Sequence, residues 1–256
     1  MSDISHLTAG EVETLLRFVE EYDPIVVGGQ SINIWAELFH GESQELDAMS
    51  PLTSKDIDFL HNLDAERALE AALRDGKLRL PAFDDNTPEA AVVTGYLGDK
   101  KVTVDFLGSV LGVDTDQVRR RSITISDPEK QAVSITLMHP LDCIRSRLSN
   151  INTLGRVDEH SLVQAQASLI ILECYIGREL AAADSEAVRR AAEAILEIEH
   201  IVKDHHVGKV SCERFGDRLD LLAVARKYAT DDRFDPRFRD HQLSSMIART
   251  AERLTR

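Results

Sequence analysis

The sequence predicts an α+β protein in which a mixed β-sheet with flanking helices is followed by an all-helical C-terminal part. Before residue 138, short apolar runs of strand length alternate with segments whose apolar residues recur at helical spacing. After residue 140 the helical spacing continues almost to the end of the chain, with Gly and Asp between the segments. We therefore expect an α/β domain over residues 1–138 and a helical domain over residues 139–256.

The composition is that of a globular protein with a proper core. The chain has 256 residues, of which 43% are hydrophobic and 29% charged. The formal net charge of −14 disfavours broad non-specific binding to nucleic acid, because that binding needs clustered Lys and Arg. The N-terminus lacks a secretory pattern, the longest apolar run is too short to cross a bilayer, and the 3 cysteines fit neither a zinc spacing nor a disulfide framework. These features predict a cytoplasmic protein that does not bind a membrane.

The first elements are predicted as helix, strand, turn and helix. Thr8 and Glu11 match a capping box ahead of a helix. Residues 25–27 form a short apolar run, which we interpret as a buried strand that ends at Gly28 and Gly29. A helix follows, since apolar residues recur at helical spacing at Ile32, Trp35, Leu38 and Phe39.

The middle of the chain predicts a loop, four strands and a helix. The polar stretch 41–53 predicts the loop, and residues 56–60 the next strand. Asp64 is expected to cap a helix that continues through Leu73 and ends at Gly76. Residues 91–97 and 102–107 predict a β-hairpin, because Gly-Asp-Lys-Lys stands between two apolar runs. The last strand is predicted over residues 131–137. Five helical segments follow, at 140–152, 158–181, 184–203, 211–228 and 240–255.

The stretch SKDIDFL, residues 54–60, carries two aspartates inside a strand that otherwise looks buried. Asp56 and Asp58 lie two residues apart, so their side chains project from the same face. Asp105 interrupts the apolar strand over 102–107, and three carboxylates converge if the two strands are neighbours. Neighbouring carboxylates repel one another, and Mg²⁺ prefers oxygen ligands. The sequence therefore predicts a site for Mg²⁺, or Mn²⁺, held by Asp56, Asp58 and Asp105.

The stretch VVGGQS, residues 26–31, predicts a phosphate site. It combines a strand, a glycine turn and the start of a helix. Free backbone N–H groups at a helix N-terminus bind phosphate, and glycine lets the phosphate approach the backbone closely. Beside a metal site, this turn is suited to a nucleoside triphosphate.

In these motifs the chain resembles the nucleotidyltransferase superfamily typified by DNA polymerase β. The resemblance is carried by GGQS at residues 28–31, by DID at residues 56–58, and by Asp105. SKDIDF at residues 54–59 is similar to the AbiEii-like minimal nucleotidyltransferases of bacterial abortive-infection and toxin–antitoxin systems. The resemblance extends to the helix predicted after residue 140, and beyond that helix it is limited to helical content.

The resemblance implies a nucleotidyltransferase-like sheet and transfer of a nucleoside monophosphate from an NTP to an acceptor hydroxyl on a tRNA, a protein or a small molecule. It also implies the role of a toxin with an antitoxin-like protein partner. Asp56 and Asp58 would bind metal, and Asp105 would complete the site and act as general base. The triphosphate would be contacted by Gly28, Gly29, Gln30, Ser31 and Lys55.

One position departs from the family pattern. Members usually carry Lys in the helix after residue 140, where this chain has Arg145 and Arg147. We expect these arginines to neutralise phosphate charge, but arginine does not give up a proton in proteins. The alternative is a nucleotide-sensing or partner-binding module on the same scaffold that no longer catalyses transfer. The three aspartates favour the enzyme, because a site without chemistry has no reason to keep a carboxylate cluster.

Overall fold

The computed structural model describes residues 7–52, 56–82, 85, 87–126, 133–182, 184–216 and 218–254. These residues form an α+β structure with a seven-stranded mixed sheet and many helices. The chain divides into two compact units, the first comprising Met1–Ile34 and Pro51–His139, the second Trp35–Ser50 and Pro140–Arg256. Residues 35–50, which the sequence predicts to belong to the first domain, are grouped with the second unit in the structure.

The sheet belongs to the first unit. Its strands are β1 (Ile25–Val27), β2 (Ile57–Leu60), β3 (Arg74–Arg79), β4 (Glu89–Leu97), β5 (Lys100–Leu107), β6 (Ile123–Ile125) and β7 (Ile135–Leu137). They are ordered β3-β4-β5-β2-β1-β7-β6. β2 runs parallel to β5 and antiparallel to β1, and β1 runs parallel to β7. Because β1 and β2 are antiparallel, the end of β1 lies beside the beginning of β2.

The two faces of the sheet differ at its centre. On one face Phe59 of β2 and Phe106 of β5 are fully buried and stack with ring centroids 5.4 Å apart. Val104 and Val102 continue this apolar row along β5, and both are buried. The residues between them on β5, which point to the opposite face, are only half-buried. Alternation along the strands therefore sends the apolar side chains into a core and leaves Asp58 and Asp105 on the other face.

The helices of the described chain follow the apolar spacing. They are α1 (Ala9–Val19), α2 (Gly28–Leu38), α3 (Gln44–Met49), α4 (Leu63–Ala72), α5 (Thr115–Arg121), α6 (Pro140–Thr153), α7 (Glu159–Ala181), α8 (Ser185–Lys203), α9 (Val210–Phe215), α10 (Leu221–Lys227) and α11 (Ser244–Leu254). The capping box of α1 is confirmed: Thr8 N donates to Glu11 Oε2 at 2.7 Å, and Glu11 N donates to Thr8 Oγ1 at 3.3 Å. No helix among the described residues is long and apolar enough to span a bilayer.

The second unit packs its helices around α7. Trp35 stacks on Phe39 with centroids 5.5 Å apart and meets the edge of Tyr175 of α7 at 6.4 Å. Arg178 of α7 covers the Phe39 ring at 4.4 Å and donates a hydrogen bond to the carbonyl of Leu38. These contacts hold residues 35–50 against the long helix, since α3 also packs on α7.

Several predicted elements are corrected by the structure. The stretch 41–53, predicted as a loop, contains α3, whose N-cap is Ser43. Asn62, and not Asp64, caps α4, because its Oδ1 accepts from the backbone N–H groups of Asp64 and Ala65. The helix predicted over 211–228 is two helices, α9 and α10, and the one predicted over 240–255 begins at Ser244, after a π-helical turn. β3, α5 and β6 were not predicted.

Candidate active site

Asp58 and Asp105 lie side by side at the centre of the sheet. The parallel register of β2 and β5 pairs Asp58 with Asp105, so both side chains project from the same face. Neighbouring strands are about 4.8 Å apart, so the two residues are direct neighbours across this strand pair. Asp56 lies just before β2, and its charge also acts on Asp105. The structure therefore brings the three aspartates into one region of the first unit.

The carboxyl group of Asp105 has a strongly perturbed proton affinity. Burial raises its pKa from 3.8 to about 6, and the negative charges of Asp56 and Glu89 add to this effect. The guanidinium of Arg79 acts in the opposite direction and lowers the pKa. The surroundings of Asp105 therefore destabilise its ionised carboxylate, and a proton or a bound cation would relieve this.

Gly28 lies against the carboxylate of Asp58. Its φ is +65°, a left-handed conformation that glycine adopts without steric cost. A Cβ atom at this position would overlap Asp58 Oδ2 and stand 3.1 Å from Asp58 Cγ. Glycine is therefore required here for two reasons, the backbone conformation and the space that the carboxylate occupies.

The N-terminus of α2 begins at this contact. Gln30 and Ser31 are both buried in its first turn. Ser31 Oγ donates to the carbonyl of Met138 at 3.5 Å, and Gln30 Oε1 accepts from Asn33 Nδ2 at 3.2 Å. Gly28 and Gly29 are the first two residues of the helix, so their N–H groups belong to its N-terminal end. The turn over 28–31 thus places a helix N-terminus beside Asp58.

The remaining predicted residues lie elsewhere. Lys55 falls outside the described residues. Arg145 and Arg147 belong to α6 in the second unit, where Arg145 Nη2 donates to Glu197 Oε1 at 3.4 Å and Arg147 Nη1 donates to Gln164 Oε1 at 2.9 Å. Their contact with phosphate stays a prediction.

The donor chemistry of the aspartate cluster fits a hard divalent cation. Among the residues that the structure describes, no group of three or more His, Cys, Asp or Glu side chains is close enough to hold a metal ion by itself. Mg²⁺ does not need such a cage, because it commonly binds through one or two carboxylates and completes its shell with water and substrate phosphate. The paired carboxylates of Asp58 and Asp105 meet that requirement, and the raised pKa of Asp105 indicates a site that a cation would stabilise.

Two charged residues near Asp105 were not recognised from the sequence. Arg79 of β3 pairs with Val92 of β4, and Val92 pairs with Asp105, so the three lie in one row across the sheet. Glu89 begins β4 and acts on Asp105 electrostatically. The sequence gives little indication of strand β3, because this edge strand has the polar sequence RDGKLR and lacks the apolar alternation of an ordinary strand.

No family model matches this chain, and no curated protein matches its sequence.

Replacing Asp105 by Asn is expected to stabilise the protein at neutral pH. The folded pKa of about 6 exceeds the unfolded value of 3.8, so between these values the folded state holds a proton that the unfolded state has lost. The free energy of unfolding of the wild type therefore falls as pH rises through this window. The full shift corresponds to roughly 3 kcal/mol, and solvent screening of a half-buried carboxylate reduces the gain from Asn to about 1–2 kcal/mol.

Chemical denaturation at several pH values measures this gain. The stabilisation by Asp105→Asn should vanish below about pH 4, where the carboxyl is protonated in both states. Asp99→Asn, which changes an exposed carboxylate in the β4–β5 turn, serves as the control and should change stability little at any pH. An Asp105→Asn variant that is less stable than the wild type at neutral pH would contradict the raised pKa of Asp105.

Proposed function

We propose that this chain is a Mg²⁺-dependent nucleotidyltransferase, which moves a nucleoside monophosphate from an NTP to an acceptor hydroxyl. One observation carries the proposal: the Asp58–Asp105 pair lies in register, directly beside a helix N-terminus that begins at a left-handed glycine. Paired carboxylates would supply oxygen ligands for a metal ion, and the adjacent helix N-terminus is suited to binding phosphate. Both acids are half-buried and lie on the face opposite the stacked Phe59 and Phe106.

Each group has a distinct task in the proposed reaction. Asp58 and Asp105, with Asp56, would hold Mg²⁺, which when bound would neutralise phosphate charge and lower the barrier to displacement at phosphorus. The N–H groups of Gly28 and Gly29 would bind the β- and γ-phosphates and so orient the leaving group. Asp105 would accept the proton of the acceptor hydroxyl. A bond forms between the acceptor oxygen and the α-phosphorus, the bond from that phosphorus to the bridging oxygen breaks, and pyrophosphate leaves.

The resemblance to the DNA polymerase β superfamily, which is carried by the same residues, also supports this proposal. It extends the proposal to a nucleotidyltransferase-like arrangement of the sheet and, through the AbiEii-like motif at residues 54–59, to a cytoplasmic toxin with an antitoxin-like protein partner. The acceptor in that setting is a tRNA, a protein or a small molecule.

Incubation with Mg²⁺, a cell lysate and each of the four NTPs in labelled form tests the proposed activity. Label in the α-phosphate should enter one acceptor fraction, whereas label in the γ-phosphate should be released as pyrophosphate. Entry of the γ-label would instead indicate a kinase. Asp105→Asn is the matched control and should abolish incorporation. Binding of NTP without incorporation into any fraction would contradict the proposal and favour a sensing module.

A further inference from the structure

A cavity of about 300 Å³ opens next to the aspartate pair in the first unit. Val92 lines it and is the direct neighbour of Asp105 in the sheet, while Arg79 lines it one strand further out. The other described residues that line it are Pro81, Asp85, Thr87 and Glu89. The cavity is therefore one strand from the carboxylate that would accept the proton.

The cavity and the glycine turn flank the aspartates on opposite sides. In the strand order β4-β5-β2-β1, the cavity lies on the β4 side of Asp105, and Gly28 follows β1 on the far side of Asp58. Transfer at phosphorus places the attacking and leaving oxygens roughly in line. If pyrophosphate leaves towards the helix N-terminus at Gly28, the attacking hydroxyl must come from the side of Asp105, where the cavity lies.

The charges of the cavity indicate what it binds. Within the described part of the chain, neither the Arg79 guanidinium nor the Glu89 carboxylate makes a hydrogen bond or an ion pair, although both act on Asp105 at longer range. Asp85 adds a second carboxylate, whose Oδ2 accepts from Ala82 N at 2.9 Å. A ligand with an ammonium group and an acidic group would satisfy both signs. Among the lining residues that the structure describes, the phosphate backbone of an RNA would face two carboxylates and one guanidinium, so its binding would be opposed by the net negative charge.

The volume restricts the size of the ligand. About 300 Å³ is at the lower end of the range for small-molecule pockets, which run from about 300 to 1,000 Å³. Such a cavity accommodates one compact molecule. Pro81 and Val92 give it an apolar wall, and the Thr87 hydroxyl can donate or accept a hydrogen bond.

We infer that this cavity binds the acceptor, and that the acceptor is a small hydroxyl compound carrying both an ammonium and an acidic group. The inference rests on the proposed nucleotidyl transfer and narrows it to one acceptor class. Glu89, with Asp85, binds the ammonium group, and Arg79 binds the acidic group. The hydroxyl is thereby directed at Asp105, to which its proton passes as its oxygen bonds to the α-phosphorus.

Binding measured without nucleotide tests the cavity separately from the reaction. Two probe sets are matched by the removal of one charged group: L-serine, ethanolamine and 3-hydroxypropionate, and L-tyrosine, tyramine and 3-(4-hydroxyphenyl)propionate. In ligand-observed NMR titrations, at least one of the two amino acids should bind the wild type more tightly than its single-charge analogues. Glu89→Gln should lower the affinity for that amino acid and for the matching amine about tenfold, and it should leave the affinity for the matching acid unchanged. Arg79→Gln should lower the affinity for the amino acid and for the acid, and it should leave the affinity for the amine unchanged.

Lys77→Gln is the matched control. Lys77 is an exposed cation two residues along β3 from Arg79 and does not line the cavity, so its replacement should leave every affinity unchanged. The inference is overturned if neither amino acid binds at millimolar concentration, or if Glu89→Gln and Arg79→Gln both bind like the wild type. It is also overturned if the double variant transfers label to RNA or protein at the wild-type rate, a result that would leave the proposed function intact. If the probes bind as expected but no nucleotidyl transfer is detected, the proposed function is refuted and the cavity remains a binding site.

Discussion

Replacing Asp58 by Asn is expected to lower nucleotidyl transfer about 10³-fold or more while the protein stays folded. The amide has the size of the carboxylate but no charge, so a cation would lose one of its paired anionic ligands. A loss of about 4 kcal/mol of transition-state stabilisation corresponds to three orders of magnitude in rate. Folding should be preserved, because Asp58 is only half-buried and lies on the face opposite the stacked Phe59 and Phe106.

Incorporation of α-labelled NTP gives the rate, and thermal unfolding with and without Mg²⁺ gives an independent measure. Mg²⁺ should raise the unfolding temperature of the wild type, because a ligand that binds only the folded state stabilises it. This increase should be absent in Asp58→Asn and present in Asp99→Asn, whose side chain is fully exposed. Transfer within tenfold of the wild-type rate in Asp58→Asn would remove the aspartate pair from the mechanism.

Gly28→Ala is expected to lower both stability and transfer. At φ +65° an alanine costs about 1–2 kcal/mol in backbone strain. The added methyl group would also stand 3.1 Å from Asp58 Cγ and 3.3 Å from Asp58 Cβ, so the carboxylate has to move. A displacement of about 1 Å at a reacting centre costs about two orders of magnitude in rate, and we expect at least that loss.

Gly98→Ala separates the two effects. Gly98, in the β4–β5 turn, has φ +61°, and a Cβ there would meet nothing within 4 Å. Its replacement should therefore cost the same backbone strain without touching a carboxylate, so that transfer by the folded protein stays near the wild-type rate. Equal losses of transfer in the two variants would show that backbone strain, and not the contact between Gly28 and Asp58, limits activity.

Elements with strong local patterns could be predicted from the sequence. β1 has a continuous apolar run that ends at Gly28, and the β4–β5 hairpin has two apolar strands around a glycine turn. The capping box of α1 depends only on Thr8 and Glu11, which are three residues apart. Such features are set by neighbours in the chain, so one sequence is sufficient to find them.

Other features depend on partners that are distant in the chain. β3 has a polar sequence because it pairs only with β4 at the edge of the sheet, and so needs few apolar side chains. Both Asn62 and Asp64 are residue types that cap helices. Asn62 is the N-cap of α4, and its Nδ2 also donates a hydrogen bond to the carbonyl of Tyr22 at 2.9 Å, a partner 40 residues away in the chain. Asp58 and Asp105 converge only because β2 and β5 are neighbours in the sheet, and neither segment alone determines that order of strands.

The stacked rings of Phe59 and Phe106 have a consequence for the chemistry on the other side of the sheet. Asp58 precedes Phe59 and Asp105 precedes Phe106, so a slip of β2 against β5 by one residue would exchange the faces of acid and ring. The aromatic pair makes that slip costly, since it would expose one ring to water and bury one carboxylate among apolar groups. Core residues that never meet a substrate thus fix the alignment of the reactive acids, and mutations that loosen the aromatic pair should impair activity before they unfold the chain.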